Sequence, residues 1–222
     1  MKTGGKRDKK AIVLAGSRGI GKGISDELKS ICDMVITTSS SDLDTSNIEQ
    51  VKEFVSEQQE TDILVLNTGG PPAKDFYDIT EDEWLKYFNQ LFYSFVYILQ
   101  NIKISDGGYV FLISSHQITE PSTKMALSVA YRTAFSSVFK ILSKGYAKNQ
   151  ISCINIAPGP IGTERLKNLV DDIDEFEKSL PMGRVGEVEE LALFVKSIIE
   201  NEIKYLTGVT INFDGGLSNY VF

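Results

Sequence analysis

Two cysteines, one histidine and one tryptophan in 222 residues exclude several kinds of chemistry before any motif is read. Cys32 and Cys153 are isolated, with no Cys-x-x-Cys pair and no clustered histidine. A disulfide framework and a structural zinc site are both unsupported, and no metal is expected. No apolar run approaches the ~18 residues of a membrane span, and the N-terminus lacks a signal-peptide core. A soluble, cytoplasmic protein without membrane partners is expected. Cations are outnumbered, 23 Lys and Arg against 30 Asp and Glu, and residues 1–10 concentrate Lys2, Lys6, Arg7, Lys9 and Lys10 against Asp8. The acidic remainder repels phosphate backbones, which argues against nucleic acid as a partner. The basic decapeptide has neither aromatics nor apolar periodicity and reads as a flexible, solvated terminus.

What the chain does have is a recurrence of short apolar runs: 11–15, 34–37, 63–66, 109–113, 151–157 and 209–213. Val- and Ile-rich runs without polar alternation are strands covered by helices on both faces of a parallel sheet. Between them lie helix starts, with Ser46-x-x-Glu49 and Thr80-x-x-Glu83 both fitting a capping box. This alternation predicts an α/β fold, a single doubly wound parallel sheet over residues 11–222, with ligands outside the carboxyl ends of the strands. After the second strand, residues 38–43 pass almost directly into Asp44-Thr45-Ser46, too short for a crossover helix, so an irregular edge or a very short third strand is expected there. Residues 163–185 read as a small lid with an acidic outer face at Asp171, Asp172, Asp174, Glu175 and Glu177. From 84 to 104, Trp84, Tyr87, Phe88, Phe92, Tyr93, Phe95 and Tyr97 exceed one helical stripe. Either the helix is deeply buried or a second face packs against another subunit.

Three motifs stand at strand ends. Ala15-Gly16-Ser17-Arg18-Gly19-Ile20-Gly21 follows the first run, where a Gly-rich turn lets backbone approach a pyrophosphate seated on a helix N-terminus. Asn67-Thr68-Gly69-Gly70 and Ala157-Pro158-Gly159-Pro160-Ile161-x-Thr163 follow later runs. In this order the motifs resemble the short-chain dehydrogenase/reductase family, in particular its 3-oxoacyl carrier-protein reductase-like members. The resemblance implies a Rossmann-type fold and an NAD(P)-dependent oxidoreductase. It implies that residues 67–70 line the adenosine side, that Asp44 lies near the adenine amine, and that Ile161 and Thr163 meet the nicotinamide carboxamide. It also implies a homodimer or homotetramer through the 84–104 and 128–148 helices. At the ribose end, Thr38, Ser39, Ser40 and Ser41 with Arg18 suit a 2′-phosphate, so NADP(H) is favoured over NAD(H), with Asp42 weighing against.

The family's proton-transferring residues are mostly replaced. Ser115 matches the serine that hydrogen-bonds the substrate oxygen. Ser128 stands at the tyrosine position, Arg132 at the lysine position and, counting from Trp84, Leu91 at the asparagine position. A serine hydroxyl titrates too high to serve unaided, and arginine does not shed a proton to relay it. Arg132 retains three roles: binding the nicotinamide ribose, orienting an anionic substrate, or stabilising an alkoxide. Tyr131, one turn beyond Ser128, is either a replacement acid or a packing aromatic. His116 has a suitable pKa range, but adjacent strand residues face opposite ways and Ser115 precedes it. Two readings follow: hydride transfer between NADP(H) and a small carbonyl or alcohol by a modified site, or a dinucleotide-binding sensor or assembly protein with little turnover.

Overall fold

A computed structural model of the chain describes residues 8–221. Each apolar run becomes a strand: β1 Lys10–Val13, β2 Met34–Thr37, β3 Glu60–Leu66, β4 Lys103–Ile113, β5 Ser152–Pro158 and β6 Val209–Phe213. All neighbours pair in parallel, in the order β2-β1-β3-β4-β5-β6. The order reverses on either side of β1, which opens a crevice above the carboxyl ends of β1 and β3. Residues 1–7 of the basic terminal segment lie outside the described residues. Its last residue, Lys10, already belongs to β1.

Strand alternation feeds two cores. Ile12, Leu64, Leu66, Val110 and Leu112 pack on one face against α2 (Ile48–Glu57), α4 (Ser94–Asn101) and α5 (Ala126–Tyr146). Val13, Ile63, Val65, Phe111 and Ile154 pack on the other against α1 (Gly19–Leu28) and α8 (Val188–Glu200). Both faces are covered, which is why the strands read as continuous apolar runs. Phe135 on α5 is 1% exposed and touches Phe92, Phe95 and Phe139. Truncating it to alanine costs about 3–5 kcal/mol. Cys153 is buried among the aliphatics, and burial pushes its thiol up to about 12, in keeping with a small core hydrophobe.

The connection after β2 departs from the usual crossover as expected, and its geometry is now explicit. From Thr38 to Asn47 the chain turns straight into α2, with no intervening strand or helix, and β2 is left at the sheet edge. The cap expected at Ser46 sits one residue later. The Asn47 side chain accepts from the N–H groups of Glu49 and Gln50, because Asp44 Oδ1 captures both the N–H and the hydroxyl of Ser46. The Thr80 capping box does form, opening α3 (Glu81–Phe88). Between α3 and α4 the chain makes a π-helical turn, Asn89–Tyr93. The expected lid region carries two short helices, α6 (Glu164–Lys167) and α7 (Ile173–Lys178). Its acidic residues Asp171, Asp172, Asp174 and Glu175 are exposed. Asp172 caps α7, and Glu177 accepts from the Val185 N–H at 3.0 Å. Among the described residues no helix is long and apolar enough to cross a membrane.

Candidate active site

The turn from β1 into α1 is held from behind. Ala15 sits in the left-handed region at φ 48°, and Gly19 at φ 52°. Thr38 is buried, its hydroxyl accepts the Ala15 N–H at 3.1 Å and its carbonyl accepts the Gly16 N–H at 2.7 Å. Thr38 therefore braces the turn instead of facing a ribose. A Cβ on Gly21 would lie 2.2 Å from the Ala15 carbonyl oxygen and 2.7 Å from Asn67 Nδ2, so only glycine lets α1 come this close. Arg18 at the N-cap supplies no side-chain cap, and Ser17 and Arg18 are exposed. With no side chain capping the first turn of α1, its backbone donors suit a phosphate. Gly19, Ile20 and Gly21 could thus hold the pyrophosphate of a dinucleotide, whereas the Gly16 N–H is already given to Thr38.

At the outer end of the crevice, the Ser39 hydroxyl and N–H both donate to Asp42 Oδ2, at 2.6 and 2.8 Å. These bonds hold the Asp42 carboxyl below the usual range. Ser40 stays exposed. The set of hydroxyls expected at the ribose is thus divided: Thr38 turns inward, Ser39 is committed to a carboxylate, and Ser40 and Arg18 remain accessible. Asp44 serves the turn before α2, accepting from Ser46.

The loop 67–71 forms the opposite wall. Asn67 Nδ2 donates to the Ala15 carbonyl at 3.4 Å, and Thr68 Oγ1 meets Thr45 Oγ1 at 3.0 Å. Gln90, in the π-helical turn, donates to the Gly69 carbonyl at 2.9 Å and reaches Thr68 Oγ1 at 3.4 Å. Leu91, the residue assigned by counting from Trp84, is instead a core residue, 1% exposed. The family's spacing from Trp84 lands on Leu91, and the polar side chain that reaches the loop is its neighbour Gln90, within the π-helical turn.

On the far side, the Gly159 N–H donates to Phe213, while Ile161 is buried and bridges Gly186. A Cβ on Gly19 would lie 3.4 Å from Thr163 Cγ2, so the residue that caps α6 stands directly against the Gly-rich turn. His116 directs Nδ1 to the Pro158 carbonyl at 3.1 Å, which puts it toward β5.

Between these walls lie the residues at the family's catalytic positions. Ser115, two residues past the end of β4, is extended and accepts from the Gln117 N–H at 3.3 Å. Ser128 is buried in the first turn of α5. One turn on, Arg132 donates through Nη1 to the carbonyls of Ile113 (2.9 Å) and Ser114 (3.4 Å), and through Nη2 to Thr68 (3.2 Å). It thereby ties the ends of β3 and β4 together. Burial, and to a smaller degree the neighbouring Arg165 guanidinium, pulls the Arg132 pKa down to about 10, so it remains a cation at neutral pH. Tyr131 is directed elsewhere: its hydroxyl donates to the Trp84 carbonyl at 3.0 Å. That commits the phenol to the α3–α5 contact, against its reading as a replacement acid. Among the described residues, no three His, Cys, Asp or Glu side chains converge as a metal set.

A family model described as enoyl-(acyl carrier protein) reductase matches residues 25–218. The chain belongs to the short-chain dehydrogenase/reductase family. It is 28% identical to a 3-oxoacyl-[acyl-carrier-protein] reductase of Chlamydia muridarum, over 95% of this chain and 98% of the relative. An acetoacetyl-CoA reductase of Shinella zoogloeoides is 25% identical, covering 93% of this chain and 97% of that protein. Among solved structures, a small-chain dehydrogenase in complex with NADPH superposes with a TM-score of 0.82 at 26% identity, over 95% of this chain and 99% of its own. The fold is that of this family of oxidoreductases, and its relatives are reductases.

Proposed function

We propose that this chain is an NADP(H)-dependent oxidoreductase acting on a small carbonyl or alcohol through a modified site. The observation that carries the reading is the meeting of Arg132 with the end of β4. Its guanidinium binds the carbonyls of the two residues before Ser115, beside the one retained family hydroxyl. The cofactor, when bound, supplies or accepts the hydride. Gly19, Ile20 and Gly21 hold its pyrophosphate, Asn67 to Gly70 its adenosine side, and Pro158, Gly159, Ile161 and Thr163 the nicotinamide end. Ser115 donates a hydrogen bond to the substrate oxygen. Arg132 stabilises negative charge that develops there, as a fixed donor array does. Without a tyrosine at position 128, the alkoxide formed by hydride transfer takes its proton from solvent. Arg18 and Ser40 favour a 2′-phosphate, and the NADPH complex of a 26% identical relative supports that preference.

The test combines cofactor binding with turnover. Fluorescence titration is expected to give tighter binding of NADPH than NADH, and NADPH consumption with small ketones is expected to fall about 10²-fold or more in Arg132→Met and Ser115→Ala. Tight binding without turnover of any carbonyl, unchanged in these variants, would favour a second reading. In that reading the chain is a dinucleotide-binding sensor or assembly protein, which the engagement of Tyr131 with Trp84 favours by removing the nearest phenol.

A further inference from the structure

Two guanidinium groups flank Gly70. A Cβ on this glycine would lie 2.9 Å from Arg165 Nη2 and 3.7 Å from Arg132 Nη2, so its bare face is a cradle where cations from α5 and α6 meet. Arg165 donates through Nη1 to Gly70 (2.9 Å) and through Nη2 to Pro71 (2.7 Å). Every one of these acceptors, and of those bound by Arg132, is a neutral backbone carbonyl. Among the described residues, no ion pair includes either arginine. Two like charges side by side, one of them half-buried, are costly unless an anion joins them. Each guanidinium has five N–H donors, and the carbonyls leave donors over on both. A carboxylate matches such planar forks.

Position selects the source of the anion. Arg132 lies beside Ser115, whereas the amides suited to the pyrophosphate are at the start of α1. Arg165 is exposed on α6 and reaches the 70–71 loop at the crevice. We propose that Arg132 and Arg165 together hold the anionic end of the substrate, so that the chain acts on an oxo acid whose carboxylate adjoins the reacting carbonyl. The inference rests on the reductase reading and names its substrate class. Arg132, between Gly70 and the end of β4, shares the carboxylate with Arg165 and also serves the adjoining carbonyl oxygen, to which Ser115 donates. Gly70 is part of the site because any side chain there would displace Arg165.

The test compares NADPH consumption with pyruvate and with methyl pyruvate, which differ in the charge to be held. The acid is expected to exceed the ester in kcat/KM by about 10- to 100-fold, as a charge-assisted pair allows. Arg165→Met should abolish that preference, lowering kcat/KM for pyruvate about 10- to 100-fold more than for the ester. Calorimetric titration of pyruvate into the NADPH-loaded protein reads the site without turnover. Pyruvate binding that is lost in Arg165→Met, with neither compound turned over, would uphold the anion site and remove the reductase reading. Equal turnover of acid and ester without preferential binding would overturn the anion site and leave that reading intact. A variant that lowers both compounds alike would make Arg165 a latch on the 70–71 loop only, and one that weakens NADPH itself would assign the pair to a cofactor phosphate; either result overturns the proposal.

Discussion

The Tyr131 hydroxyl donates to the Trp84 carbonyl at 3.0 Å, and the two rings meet edge to face with centroids 5.8 Å apart. Phe88 approaches the same phenol, also with centroids 5.8 Å apart, so Tyr131 pins α5 to α3. Burial raises the phenol pKa, which makes it a poorer acid than a free tyrosine. Tyr131→Phe is expected to cost about 1 kcal/mol through the lost hydrogen bond, or roughly 2–4 °C in Tm for a chain of this size. Turnover and NADPH affinity should stay within about threefold of wild type, since a lost general acid would cost about 10²-fold or more. Abolished turnover in a stably folded variant would return the phenol to the chemistry.

A strained residue in the cofactor turn gives a second test. Ala15 holds φ 48° where a glycine is at ease, and a left-handed backbone costs an L-residue roughly 1–2 kcal/mol. Glycine loses more backbone freedom on folding, which offsets part of the gain. Ala15→Gly is expected to raise stability by about 0.5–1 kcal/mol in denaturant unfolding, with cofactor affinity retained. A loss of stability would mean that the Ala15 methyl contributes packing greater than the strain.

The strands were legible because both sheet faces are covered, and each apolar run from 11–15 to 209–213 became one strand. Their ends were less so. β4 begins at Lys103, since residues 103–104 pair with 60–61 before the chain bulges and Tyr109 resumes opposite Ile63. A polar, Gly-containing bulge hides that start from periodicity. The Gly-rich turn and the 67–70 loop were legible from residue type, because Gly21 meets the Ala15 carbonyl and tolerates no side chain. Three partners were not. Gln90 reaches the loop from within a π turn, next to the Leu91 on which the family's spacing lands, and Asn47 wins the cap because Asp44 occupies Ser46. Arg165 reaches Gly70 across 95 positions of sequence, a tertiary pairing unmarked by local pattern.

Acid lability follows from two carboxylates. Lys74, followed by the Thr80 N–H, holds Glu83 down to about 2 from the ordinary 4.5. The Arg184 fork, followed by the Glu187 N–H, holds Glu190 at about 2. A carboxylate with a depressed folded pKa contributes stability that is present above its unfolded pKa and is lost as pH falls toward the folded value. Tm should therefore decline between pH 4.5 and about 2, with a shallower decline in Glu83→Gln and Glu190→Gln. Both groups are partly open to solvent, so added salt should reduce the differences. Identical acid limbs in wild type and variants would show that these pairs contribute nothing measurable.

The aromatic surplus of the α3–α4 region is partly absorbed by α5, with Phe92 and Phe95 both against Phe135 at 6.2 and 5.2 Å. What remains outside is apolar and concentrated: Leu85 is 59% exposed, Phe88 37%, Tyr93 39%, and Ile141 on α5 69%. Phe88 stacks on Tyr93 at 6.1 Å, forming a flat surface of the kind that aromatic interface cores use. Left uncovered, such residues are an aggregation liability, so we expect a homodimer or homotetramer joined through α3, the π-helical turn and α5. Sedimentation velocity at micromolar concentration should show the oligomer, and Leu85→Glu combined with Ile141→Glu should release folded monomers by burying unpaired charge at the contact. A monomeric wild type would refute the expectation. An oligomer unaffected by both substitutions would move the interface to another face.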